Sequence, residues 1–217
     1  MQKQEMKQKK SWWILIIVSL GVMTPFVLPY LNVDPANSRI TITSNTIQYP
    51  LLLTHILFAC AALITGFLQF VTRIRIQHPK IHRYLGRVYV MSVFISGLLA
   101  LPLIFYMENF TKSLAFLTLS IVWLVTCWNG YRAAVKGRLP EHRVWMVRSF
   151  GITLVAVSAR LLMPVLLLSY YILSGFSLPG GRAQMVEETL NVNIWVGLLL
   201  NFVIIEWIIV KKIKHEK

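Results

Sequence analysis

Charge is scarce in this chain. Only 14% of its 217 residues are charged and 56% are hydrophobic, whereas an ordinary soluble domain carries about 25% charged residues. Acidic groups are rarer still, with 8 Asp and Glu against 22 Lys and Arg and a net charge of +14. Cysteine is limited to Cys60 and Cys127. Both fall in apolar runs without C-x-x-C spacing, which makes them packing residues rather than a redox or metal pair. No Ser-His-Asp set, Gly-rich phosphate loop or paired catalytic carboxylates is present, which argues against hydrolase and nucleotide-driven chemistry.

Long apolar blocks are what the chain does have. Trp12–Leu31, Tyr49–Thr72, Val88–Met107, Ser113–Tyr131, Ser149–Leu173 and Val192–Val210 each approach the roughly 20 residues that a helix needs to cross hydrocarbon. They run without the alternation of a barrel strand, and only helices or closed barrels satisfy their backbone in lipid. The expected fold is all-α, a polytopic integral membrane protein with six transmembrane helices.

The location of the basic residues explains their excess. Eighteen fall on one side of these spans: Lys3, Lys7, Lys9, Lys10, Arg73, Arg75, Lys80, Arg83, Arg87, Arg132, Lys136, Arg138, Arg143, Arg148, Lys211, Lys212, Lys214 and Lys217. Only Arg39, Lys112 and Arg182 fall on the other side, together with Asp34, Glu108, Glu187 and Glu188. Positive-inside asymmetry makes the eighteen-charge side cytoplasmic, with both termini there. The expected partner of this basicity is a bilayer with anionic headgroups, not nucleic acid. The first apolar run is too long for a signal-peptide core and lacks a small-x-small cleavage pattern, so it reads as a retained helix.

A repeat links the middle spans. Nine residues after Arg73 comes His82-Arg83, and ten after Arg132 comes His142-Arg143. A basic residue (Arg87, Arg148) and a span containing Pro102 or Pro164 follow each pair. Two repeated hairpins forming a four-helix core are expected. The domain reading is therefore 1–48 for the N-terminus, first helix and outer loop, 49–173 for the core, and 174–217 for the last loop, sixth helix and basic tail. Small residues at Ala62 and Gly66, and at Ser92, Ser96 and Ala100, allow close helix approach. Trp12, Trp13, Tyr49 and Trp195 suit interfacial positions.

The string His82-Arg83-Tyr84-Leu85-Gly86-Arg87-Val88-Tyr89 with Ser96-Gly97, and the string His142-Arg143-Val144-Trp145-Met146-Val147-Arg148-Ser149 with Arg160, resemble a bacterial membrane-protein family, domain of unknown function 2306. The likeness covers Leu53 to Pro164. It implies the membrane architecture and carries no substrate.

A few polar residues are candidates for chemistry. His82 and His142 are expected at matched depth, where two imidazoles can ligate haem b, with Arg83, Arg87, Arg143 and Arg148 facing propionates. His55 lies about 9 Å inside the outer end of the second helix by helical rise. His78 and His82 are four apart, but Pro79 breaks a shared helix. Arg160 is mid-span, where a bare charge costs at least about 2.5–3.5 kcal/mol. With His55 it outlines a candidate intramembrane polar site for an anionic or quinone-like ligand. Glu206, the only acid within a span, lies toward the basic end of the sixth helix. Topology accounts for most of these residues, so the expected function is a non-catalytic accessory, assembly or sensing protein of the cell membrane. The alternatives are a haem- or quinone-linked redox protein and a small transporter using Arg160.

Overall fold

The computed structural model describes residues 10–215. Lys3, Lys7, Lys9 and Lys217 lie outside them, as do the side chains of Lys212, Lys214 and His215. All regular elements among the described residues are helical. They divide into two compact units, Met1–Leu103 and Ile104–Lys217. The division falls inside the expected 49–173 core, between its two hairpins.

The first unit holds α1 (Lys10–Val27), α2 (Gln48–Gln69), the short α3 (Thr72–Gln77) and α4 (Pro79–Leu103). Pro79 opens α4 and His78 caps α3, so His78 and His82 are on different helices, as the intervening proline dictates. The main contact is α2 against α4. Ala62, Gly66, Ser92, Ser96, Gly97 and Ala100 are all buried, because small side chains let two backbones approach where lipid removes any hydrophobic drive to associate. At one end of the pair, Tyr30, Tyr49, Leu52 and Leu103 cluster. The loop above them is held by buried Gln48, whose Oε1 accepts from the Thr43 amide at 2.7 Å and whose Nε2 donates to the Thr41 carbonyl at 3.0 Å. At the other end, Trp12 packs on Phe67 and Phe70 with ring centroids 5.5 and 5.6 Å apart.

The second unit holds α5 (Phe110–Val135), α6 (Leu139–Thr153), α7 (Val155–Leu161), α8 (Met163–Leu173) and α9 (Gly181–His215). Asn109 caps α5 by accepting from the Lys112 amide. At its far end the Arg138 amide donates to Ala133 and the Gly137 amide to Ala134. This pair of bonds needs a left-handed residue, supplied by Gly137 at φ 70°. The turn is therefore tight, and α6 folds back along α5. Two glycines then set the spacing of α9. A Cβ on Gly197 would come within 3.1 Å of the Ala159 amide nitrogen, and one on Gly151 would overlap the end of Ile205.

Two sequence expectations are corrected here. The basic stretches between apolar runs, 73–87 and 132–148, are largely helical, because charge ends an apolar run without ending a helix. The fifth span is also not one helix over Ser149–Leu173. It starts at Leu139, bends by 43° between α6 and α7, and breaks again before α8. At the bend, Thr153 Oγ1 bonds back to the Ser149 carbonyl at 3.1 Å, a competition with the backbone that bends helices. At the second break, the Pro164 ring excludes a bond to the Arg160 carbonyl. Among the described residues, five helices are long and apolar enough to cross a membrane, and the bent α6–α7 pair makes a sixth span if counted as one.

Candidate functional site

Several polar side chains within the spans tie one helix to another. In the first unit, His55 Nδ1 meets the Ser96 carbonyl at 2.9 Å, while Ser96 Oγ donates to the His55 carbonyl at 3.1 Å. A carbonyl only accepts, so Nδ1 carries the proton. Gln69 Nε2 likewise joins α2 to α4 by donating to the His82 carbonyl at 2.8 Å. In the second unit, His142 Nδ1 donates to the Gly130 carbonyl at 2.8 Å, and Trp123 Nε1 donates to Thr153 Oγ1 at 2.9 Å. Asn201 joins α9 to the bent span twice, accepting from Ser158 Oγ at 2.7 Å and donating to the Gly151 carbonyl at 2.9 Å.

The second unit also contains a cavity of about 320 Å³ between α5, α6 and α9. Val122, Ile152, Phe202 and Ile205 make its walls apolar, with Thr126 and Trp145 beside them. Arg148 and Glu206 stand in this wall as a two-pronged ion pair. Arg148 Nε donates to Oε1 at 2.7 Å and Nη2 to Oε2 at 3.0 Å. The guanidinium also lies over the Trp145 ring, 4.9 Å from its centroid. Planar forks of this kind are the strongest ion-pair geometry, and the pair needs to be strong because bare charge is costly at membrane depth. Both side chains keep roughly a third of their surface, 31% and 29%, so the pair borders the cavity without being sealed beneath it.

The candidates from the sequence are distributed as follows. Arg148 is at the cavity, but Glu206 occupies its guanidinium. His142 and Arg143 lie one to two turns earlier on α6, and Arg160 lies in the last turn of α7. Arg160 Nη1 donates to the Ala156 carbonyl at 2.7 Å, so a carbonyl of its own helix receives part of the mid-span charge. His55, His82, Arg83 and Arg87 belong to the first unit. Hydropathy alone does not join Glu206 to Arg148, because Arg148 directly precedes the apolar run that starts at Ser149 and lies outside it. The usable signal was two opposite charges at similar distances from the basic ends of two spans.

The family model described as Predicted membrane protein (DUF2306) matches residues 52–209. The chain belongs to this family. The match runs past Pro164, where the sequence likeness ended, and into α9, so family membership takes in the whole cavity and Glu206 with it. No curated protein and no solved structure matches the chain.

Proposed function

We propose that this member of the family is a non-catalytic sensing or accessory protein of the cell membrane, with both termini cytoplasmic and its basic side against anionic headgroups. Its signal is an amphiphile with an acidic head that enters the α5–α6–α9 cavity. The observation that carries this reading is the Arg148–Glu206 fork in an otherwise apolar wall. An incoming carboxylic acid can pass its proton to Glu206 and take the guanidinium as a carboxylate, so neither acid is left as a bare charge, and the apolar walls receive the tail. The tie from α6 to α9 is then released while Arg148 stays neutralised. The cavity is at the lower end of the volumes typical of ligand sites.

Reconstitution in nanodiscs of zwitterionic lipid tests this. A long-chain fatty acid is expected to shift the thermal midpoint of the wild type, and the alcohol of the same chain length is not. Arg148→Gln should abolish the fatty-acid shift, and Arg148→Lys should retain part of it. An equal shift with acid and alcohol, or with wild type and Arg148→Gln, would sink the proposal.

A further inference from the structure

The first two turns of α4 carry a second concavity, of about 180 Å³, lined by Lys80, Arg83, Tyr84 and Arg87. Their spacing places all four on one helical face, and each is exposed. Arg83 Nε is held toward the Pro79 carbonyl at 3.4 Å. Three cations thus line one face with a phenol beside them, and the described residues of this unit supply little to neutralise them. Among the described residues of this unit Asp34 is the only acid. It precedes α2, whereas α4 starts beside the far end of α2, at Gln69 and His82. The 22 residues of α2 put roughly 33 Å between those ends. Both ion pairs found among the described residues, Arg138–Glu141 and Arg148–Glu206, belong to the other unit. Like charges one turn apart repel on a helix, and no acid among the described residues of this unit is placed to offset them.

We propose that Lys80, Arg83, Tyr84 and Arg87 form a stoichiometric site for the phosphate of an anionic phospholipid. The guanidinium groups and the ammonium match phosphate oxygens, and the Tyr84 hydroxyl is a further donor. The depth selects a lipid over a soluble anion, because the apolar run of α4 begins at Val88, directly after Arg87. Eight residues of helix from Lys80 to Arg87 cover about 11 Å, comparable with a headgroup layer. The site does not depend on the α5–α6–α9 cavity. It shares with the proposed topology only the contact of the basic side with headgroups, and it adds a fixed stoichiometry and a fixed place to that diffuse attraction.

Native mass spectrometry of delipidated protein, with phosphatidylglycerol or phosphatidylcholine added, tests the site. Wild type is expected to hold one phosphatidylglycerol in preference to phosphatidylcholine. Lys80→Gln/Arg83→Gln/Arg87→Gln should weaken that binding by roughly 100-fold, from the contribution of each basic residue at a membrane surface. The control Arg132→Gln/Lys136→Gln/Lys211→Gln removes the same net charge elsewhere and should keep the bound lipid. Should the first triple variant fail to fold, Arg87→Gln alone is expected to lose about fivefold. Equal losses in the two triple variants would reduce the effect to general attraction and overturn the site. Displacement of the lipid by millimolar inorganic phosphate would overturn the lipid assignment in favour of a soluble anion.

Discussion

At the scale of single residues, His142 separates a structural role from a redox role. Its Nδ1–H is bonded to the Gly130 carbonyl, and a Cβ on Gly130 would press Met146 Sδ at 2.6 Å, so α5 and α6 are nearly in contact where the imidazole joins them. A hydrogen bond of this kind contributes about 1 kcal/mol, and more when its loss strands a buried carbonyl. His142→Ala is therefore expected to lower the thermal midpoint of the purified protein by a few degrees without changing its visible spectrum. A Soret band in the wild type that disappears in His142→Ala would make His142 an axial ligand instead. A ligating imidazole commonly bonds a carbonyl through its other nitrogen, so the measurement has to be spectroscopic as well as thermal. Arg160 shows the same economy of roles. One polar partner of the kind required at mid-depth is the Ala156 carbonyl, one turn back on the same helix.

At the scale of elements, close approach rather than apolar area decides where α9 sits. Gly197 meets the backbone of Ala159, which cannot step aside as a side-chain end can. Gly197→Leu should force α9 away from α7, with a loss of about 1–3 kcal/mol as in other overpacked sites. Gly21 of α1 is the matched control, since nothing lies within 4 Å of a Cβ there. Thermal unfolding of the two leucine variants in the same micelles should show a lower midpoint only for Gly197→Leu, and equal midpoints would refute the close-packing account. These elements also show what was legible beforehand. The α2–α4 pair was readable from Ala62, Gly66, Ser92, Ser96 and Ala100, because small residues at helical spacing have few other reasons to cluster in an apolar run. The broken fifth span was not readable. Hydropathy reports apolarity, and Thr153 and Pro164 change backbone bonding without interrupting it. The Arg148–Glu206 cavity was hidden for a related reason, since the helical start of α6 at Leu139 could not be seen through the charges that surround it.

At the scale of the whole molecule, orientation rests on how the basic residues partition between the ends of each unit. In the first unit, Asp34 and Arg39 sit before α2, while Arg73, Arg75, Lys80, Arg83 and Arg87 follow it. In the second, Lys112 opens α5 and Arg132, Lys136 and Arg138 close it. At 22 and 26 residues, α2 and α5 reach roughly 33 and 39 Å by helical rise. Each is long enough to place its two ends in opposite headgroup layers of a core about 30 Å thick. The translocation bias retains Lys and Arg of short loops on the cytoplasmic side, so the rich end of each helix is expected there. Cysteine accessibility in intact cells gives the measurement. Lys80→Cys and Arg138→Cys should react with a membrane-impermeant maleimide only after permeabilisation, while Lys112→Cys and Arg182→Cys should react before it. Cys127 is buried and Cys60 half-buried within their spans, so the native thiols should add little background. Labelling of position 80 or 138 in intact cells would invert the topology. It would also remove the cytoplasmic assignment of both termini, because all of these depend on the same eighteen-to-three asymmetry of charge.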